Sequence, residues 1–239
     1  TYSEYIRAGH ISTFEGWASE YVLLGQGDLV AELYTANGEE TRFSLAVPAV
    51  DIIRLENGRI VEMWTMRDNW LWEFQKFDKE AAVPPEDYFP ALGESSTTPE
   101  ENVALAERAL ELWQTGNTDN IADVYADELV FHLPLSISTQ PLDRDGVAHY
   151  ISYLHVRMPD FTIETEDYPQ VAEGDLVVCY YKWNGKFTPE DPDERARTAR
   201  AEAVDVYRIQ DGKIVEVWWN WSIRSFMGKL TWFAPPVES

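Results

Sequence analysis

The stretch Ala49-Val50-Asp51-Ile52-Ile53-Arg54-Leu55-Glu56-Asn57-Gly58-Arg59-Ile60-Val61-Glu62-Met63-Trp64 returns later as Ala203-Val204-Asp205-Val206-Tyr207-Arg208-Ile209-Gln210-Asp211-Gly212-Lys213-Ile214-Val215-Glu216-Val217-Trp218. Nine of the sixteen positions are identical, where unrelated sequence would match at about one. Upstream, Gly27-Asp28-Leu29-Val30 matches Gly174-Asp175-Leu176-Val177, Asn37-Gly38 matches Asn184-Gly185, and Phe14 matches Phe161. Order and spacing persist except across Thr188 to Ala199, a Pro-, Asp-, Glu- and Arg-rich stretch that reads as a longer loop in the second copy. A duplicated unit is the economical explanation.

The second copy reads completely. Thr98-Pro99-Glu100-Glu101 has the pattern of a capping box with Pro at the first helical position, and Val103, Ala106, Leu110 and Trp113 follow at helical spacing. A second, shorter helix is expected from Thr118-Asp119, a strand over Leu129 to Leu133, and a third helix from Asp145 to Met158. Four strands then read at Phe161 to Tyr168, Leu176 to Trp183, Arg200 to Ile209 and Ile214 to Ser222, the last two joined at Gln210-Asp211-Gly212. This is an α+β unit. In the first copy Thr1 to Gly9 falls on the third helix, and about fifty residues matching Thr98 through Gly146 have no counterpart. Residues 78–97 have the Pro-, Gly- and Ser-rich composition of a linker. The expected division is a partial module over 1–77, the linker over 78–97, a complete module over 98–230 and a tail over 231–239.

Composition narrows the partners. The 239 residues carry 19 Lys and Arg against 42 Asp and Glu, a formal charge of −23, which repels polyanions and argues against nucleic-acid binding. With 45% apolar residues the chain can bury cores. Its single cysteine, Cys179, can form neither an intramolecular disulfide nor a Cys-based zinc site. No apolar run approaches the roughly 18 residues of a membrane span, so no membrane association is expected and a cytoplasmic location is.

An Asp, an Arg three residues on, a Gly hairpin, Ile-Val-Glu and Trp, preceded by helices and then a sheet, together resemble the SnoaL-like polyketide cyclases of the NTF2-like, ketosteroid-isomerase-like superfamily. The resemblance implies two cone-shaped α+β modules, each with helices packed on a curved antiparallel sheet, the first lacking its N-terminal helices. It also implies an Asp facing the cone's interior from the strand before the hairpin, the position of Asp51 and Asp205. Alternation puts Asp205 on a face with Ala203, Tyr207 and Ile209, and Asp51 with Ala49, Ile53 and Leu55. If that face lines a cavity, desolvation raises the carboxyl pKa, as for the protonated aspartic acid of ketosteroid isomerase. If it faces outward, the aspartates are merely solvated.

The resemblance further marks Asp68, four residues after Trp64, as a proton shuttle; Ser222 stands there in the second copy. The alternative is a cap or an ion pair with Arg67 or Lys76. His132 falls near the position of a general base in ketosteroid-isomerase-like proteins, against the plainer reading of a hydrogen-bonded core histidine. His149 and His155 are six apart, which is not a metal-ligand spacing on one helix face, and His10 reads as structural or surface. Where cyclases tend to carry a His before the middle strand's Gly turn, this chain has Trp183 and Ala36. Trp64, Trp183, Tyr207 and Trp218 are the expected substrate-binding aromatics. Trp218 alternates in face with Trp219, so one side of the strand also suits sheet-to-sheet pairing of modules within one chain or in a homodimer.

The function expected is a cofactor-independent, metal-free cyclase, isomerase or dehydratase acting on an apolar, carbonyl-bearing natural-product intermediate. The rivals are a noncatalytic small-molecule-binding or dimerisation protein, and an epoxide hydrolase of the same fold. No P-loop, dinucleotide fingerprint, Gly-x-Ser-x-Gly elbow or His-Glu-x-x-His occurs, and Asp191 to Glu194 lacks the glycine and distal glutamate of a calcium loop.

Overall fold

The hairpin shared by the two copies forms the same tight turn twice. Asn57 and Gly58 lie at φ 53° and 72°, and Asp211 and Gly212 at 49° and 72°, the pair of left-handed residues that matches the twist of the flanking strands. A computed structural model describes residues 15–40, 43–78, 81–189, 193 and 195–222. In it β1 (Glu15–Gln26), β2 (Leu29–Glu40), β3 (Phe43–Glu56) and β4 (Arg59–Arg67) form a four-stranded antiparallel sheet in chain order. A second sheet runs β5 (Tyr125–His132), β10 (Lys213–Ser222), β9 (Arg197–Gln210), β8 (Leu176–Phe187) and β6 (Thr162–Glu164), with β7 (Gln170–Glu173) also on β8. Only the β5–β10 pairing is parallel among these. The molecule is α+β, with curved antiparallel sheets and few helices.

Among the described residues three α-helices complete it: α1 (Asn69–Phe77), α2 (Pro99–Thr115) and α3 (Arg144–Arg157). The capping box is present, Thr98 Oγ1 accepting from Glu101 N at 3.2 Å and Glu101 Oε2 from Thr98 N at 2.9 Å. Ala106, Ala109, Leu110 and Trp113 of α2 share one core with Val177, Cys179, Tyr207, Ile209, Ile214 and Val217 of the sheet. That is the inner, helix-covered face. The alternate residues Val178, Tyr180, Val204, Val206 and Trp218 form the outer face, clustered with Leu24, Ala31, Leu33, Val50, Ile52 and Met66 of the first sheet. The two sheets therefore pack against each other, each Val, Leu, Ile or Met among these gaining about 1.5–3 kcal/mol from full burial.

Among the described residues, the first sheet's other face is covered at one end only. There Leu71 of α1 joins Tyr34, Ala36, Val47 and Ala49, and Gln75 fixes the helix to β3, accepting from Ala46 N at 2.9 Å and donating to Ala46 O at 2.8 Å. The counterparts of Ile209, Ile214 and Val217 under the repeat are Leu55, Ile60 and Met63, and they are exposed. Among the described residues, no helix lies over them as α2 lies over the second sheet.

Several expected elements differ. The short helix after Thr118 is a single 3-10 turn, Ile121–Asp123. The first strand of the second copy starts at Tyr125, and the strand expected over Phe161 to Tyr168 is reduced to three residues by the turn at Glu166-Asp167. Helix α1 was not anticipated, because Trp70, Trp72 and Phe74 alternate with period two and mask the helical pattern. Residues 81–97 hold no strand and enter a helix only after Thr98, yet Tyr88 and Phe89 are buried beside Trp218. Gly93 and Asp175 exchange hydrogen bonds, Gly93 N to Asp175 Oδ1 at 2.7 Å and Asp175 N to Gly93 O at 3.2 Å. Thr1 to Gly9, His10, Phe14 and the tail lie outside the described residues.

Candidate active site

Asp205 stands mid-strand on the inner face of β9, paired in register with Cys179 and Trp219. Only 2% of it is exposed. Tyr181 Oη donates to Oδ1 at 3.0 Å and Tyr207 Oη to Oδ2, while Trp219 Nε1 donates to Tyr181 Oη at 3.1 Å. Trp113, Tyr125, Phe131 and Tyr150 belong to the same aromatic core. Removal from water outweighs the two tyrosine hydrogen bonds and pushes the Asp205 carboxyl up to about 7. The same burial, with Asp205 beside them, raises the hydroxyls of Tyr181 and Tyr207 well above their ordinary value. The group is a carboxyl able to exchange a proton near neutrality, held by two neutral phenols.

Asp51 repeats the arrangement in the first sheet. Tyr34 Oη donates to Asp51 Oδ2 at 3.0 Å, and Arg67 Nη2 donates to Tyr34 Oη at 3.3 Å. Burial raises the Asp51 carboxyl, with hydrogen bonds from Thr65 and Tyr34 opposing. Glu32, opposite Asp51 in the β2–β3 register, is raised by burial and then by the Asp51 charge. This face is more open: Tyr21, stacked on Tyr34 at 5.9 Å, is 55% exposed.

Asp68 and His132 belong to neither cluster. Asp68 caps α1, accepting from Leu71 N at 3.0 Å, and its other oxygen accepts from Ser136 N at 3.0 Å. Burial raises its carboxyl and these amides lower it. Its geometry is that of a cap that also ties α1 to the loop after β5. His132 is the register partner of Trp218, so it projects from the outer face, with the sheet between it and Asp205. Its Nε2 lies 2.9 Å from Glu216 Oε1.

The expected aromatics divide in the same way. Tyr207 and Trp183 are on the inner face, Trp183 being buried 5.8 Å from Phe161. Trp64 and Trp218 are on the sheet-packing side, as partners of Ile52 and Val206 rather than of the aspartates. Strand alternation is the reason: Thr65 and Trp219, one residue further on, stand opposite Asp51 and Asp205.

The sequence model of the SnoaL-like domain family matches residues 106–217. That span runs from within α2 to within β10 and includes Asp205, Tyr181 and Tyr207, with Trp219 just beyond its end. No curated protein matches the chain. Among solved structures, the chain is similar to a SnoaL-like polyketide cyclase from Agrobacterium tumefaciens at 14% identity, covering 51% of this chain and 91% of that one with TM-score 0.42. It is also similar to IdmH, a putative polyketide cyclase from Streptomyces antibioticus, at 23% identity, 53% and 93% coverage and TM-score 0.44. AclR, a putative hydroxylase from Streptomyces galilaeus, is similar at 17% identity, 53% and 82% coverage and TM-score 0.44.

Tyr181 and Trp219 as partners of Asp205, and Tyr34 and Glu32 as neighbours of Asp51, are not among the residues expected from the sequence. A signal for the tyrosines was present, since Tyr34 and Tyr181 align in the repeat at the same distance before Asn37-Gly38 and Asn184-Gly185. His155 places Nε2 2.7 Å from Trp113 O, a contact that fixes α3 against α2. Among the described residues no group of three or more His, Cys, Asp or Glu is placed to hold a metal, and no helix is long and apolar enough to cross a membrane.

Proposed function

We propose that the chain is a tandem of two NTF2-like modules, 1–77 and 98–230, joined by 78–97, and that it works as a cofactor-independent acid/base enzyme on an apolar, carbonyl-bearing natural-product intermediate. Asp205 is the proton-transferring carboxyl in this reading. What supports it is the carboxyl pushed to about 7 inside an aromatic core, poised to take a proton from the carbon next to a carbonyl and to return it elsewhere. Tyr181 and Tyr207 supply hydroxyl donors for the enolate oxygen that this step creates. Trp183 and Trp219 provide flat apolar surface for the rest of the substrate. Cyclisation, isomerisation or dehydration then differ only in where the electrons and the returned proton go. Asp51 with Tyr34 is the second copy of the device.

Deuterium incorporation into 2-tetralone next to its carbonyl, followed by NMR in D2O, tests the reading. Exchange should occur with the wild type, vanish in Asp205→Asn and survive in Asp51→Asn. Exchange that persists in both variants and in their combination rejects acid/base catalysis at these positions.

One observation favours the noncatalytic alternative. Tyr125, Tyr150 and Tyr207 around Asp205 are fully buried, so a ligand reaches the carboxyl only when these rings move. An epoxide hydrolase draws its support from the first sheet, where Glu32 adjoins Asp51 and Arg67 donates to the shared Tyr34. Hydrolysis of styrene oxide, lost in Asp51→Asn and kept in Asp205→Asn, would select it.

A further inference from the structure

A cavity of about 400 Å³ lies on the outer face of the second sheet, between β5 and β10 and the chain at Pro85 to Pro90. Its size falls within the range of small-molecule pockets. It is separate from the Asp205 cluster, because its two central side chains, His132 and Trp218, are register partners whose side chains leave the sheet on the side opposite to Asp205.

The polar groups of this cavity are fixed in place. Glu216 bridges its neighbours, with Oε1 2.9 Å from His132 Nε2 and Oε2 3.3 Å from Arg208 Nη1. Arg208 is also engaged by Asp175 Oδ2 at 3.4 Å and by Ala91 O at 3.3 Å. The His132 ring stacks on Trp218 at 5.3 Å and 19°. A carboxylate on Nε2 holds that nitrogen's proton and leaves Nδ1 as the acceptor in the neutral ring. Among the described residues nothing donates to Nδ1. The remaining walls are Tyr88, Leu135 and the rings of Pro85, Pro90 and Pro141, with Asp87 and Thr139 as the further polar side chains. Charge sets the ligand's sign: the guanidinium of Arg208 is already shared between two carboxylates, and Asp87 adds a further acid to the lining. An anion would meet net repulsion.

We propose that this cavity is a second small-molecule site, for a flat, uncharged hydroxyaromatic whose hydroxyl donates to His132 Nδ1 while its ring lies between Tyr88 and the prolines. The site consists of the Glu216–His132 pair on a Trp218 floor, roofed by the segment between the two halves of the chain. It rests on neither Asp51 nor Asp205.

Isothermal titration of the full chain with 2-naphthol tests it, alongside naphthalene-2-sulfonate and naphthalene. The expected result is one 2-naphthol bound per chain, binding at least tenfold weaker for naphthalene, and none detected for the sulfonate. His132→Phe, which keeps a ring on Trp218 and removes the acceptor, should weaken 2-naphthol at least tenfold, while Asp205→Asn leaves it unchanged. Carbon-13 imidazole NMR of the wild type gives a readout that needs no stable variant: the His132 signal should move with 2-naphthol, saturating with the calorimetric isotherm. An unmoved His132 signal, undiminished binding in His132→Phe, or binding abolished only by Asp205→Asn would each overturn the site, the last by placing the ligand on the inner face.

Discussion

Tyr181 reaches Asp205 diagonally across two neighbouring strands: it pairs in register with Ala203, two residues before Asp205, and its hydroxyl closes to 3.0 Å of the carboxylate. Tyr34 does the same to Asp51, pairing with Ala49 and donating at 3.0 Å. Diagonal neighbours on an antiparallel pair are within reach of aromatic side chains. The pair is thus a property of the register and is inherited with the strands.

The hydrogen bonds from Tyr207 and Tyr181 lower the Asp205 carboxyl against the larger, opposing effect of burial. Removing either donor should raise it further. A hydrogen bond to a charged group contributes about 1.5–3 kcal/mol, so Tyr207→Phe should move the Asp205 titration upward by about one to two pH units. Carbon-13 NMR of the aspartate carboxyls measures this directly, and an unchanged or lower midpoint would refute the assignment.

Asp205 also couples stability to pH. Its folded pKa, about 7, lies above the ordinary value of 3.8. Between those values the folded chain holds a proton that the unfolded chain has lost. Stability from this group is therefore present in full below about pH 4 and falls as pH rises through about 7. Three units correspond to about 4 kcal/mol at most. Asp205→Asn should flatten that fall in urea unfolding at pH 5 and pH 8; an equal fall in both proteins would show that the charge sits elsewhere.

Asp68 gives the contrary test. It accepts from Leu71 N and Ser136 N, so Asp68→Ala leaves one buried and one half-buried amide without their acceptor. The expected cost is about 2–4 kcal/mol, combining a lost cap with an unsatisfied buried donor. Asp68→Asn keeps one acceptor oxygen and should recover part of it. If Asp68 moves protons instead, Asn would abolish exchange in 2-tetralone while thermal unfolding stays near the wild-type midpoint.

Gly174 tests how the segment between the halves is held. It has φ +54°, and a Cβ there would run into the Gly93 carbonyl oxygen. Gly174→Ala should break the Gly93–Asp175 exchange, lower stability by about 1–3 kcal/mol and make residues 81–97 the first site of limited proteolysis. Gly27, at the matching position of the first copy, meets nothing within 4 Å, and Gly27→Ala should cost less.

The sequence carried the sheets well, because repeat, hairpin and alternation are local. The left-handed Asn57-Gly58 and Asp211-Gly212 pairs and the common face of Ala203, Asp205, Tyr207 and Ile209 follow from them directly, whereas which way that face looks depends on α2 packing over it. What each aspartate meets inside was less legible. Tyr181 approaches Asp205 from another strand, and nothing in spacing along one strand shows a diagonal contact. Asp68, His132, Trp64 and Trp218 illustrate a second limit. Each has a residue type suited to chemistry, but its surroundings depend on α1 and on the packing of one sheet on the other, which involve residues far away in the chain.

That packing has a consequence for how the halves stay together. Val204, Val206 and Trp218 meet Val50, Ile52 and Met66 inside a single polypeptide, and the short connection keeps the two surfaces at an effective concentration on the order of millimolar. Dilution that separates the subunits of an ordinary dimer leaves this contact intact, so substitutions that weaken it are buffered by the tether and lower the unfolding temperature without releasing folded halves.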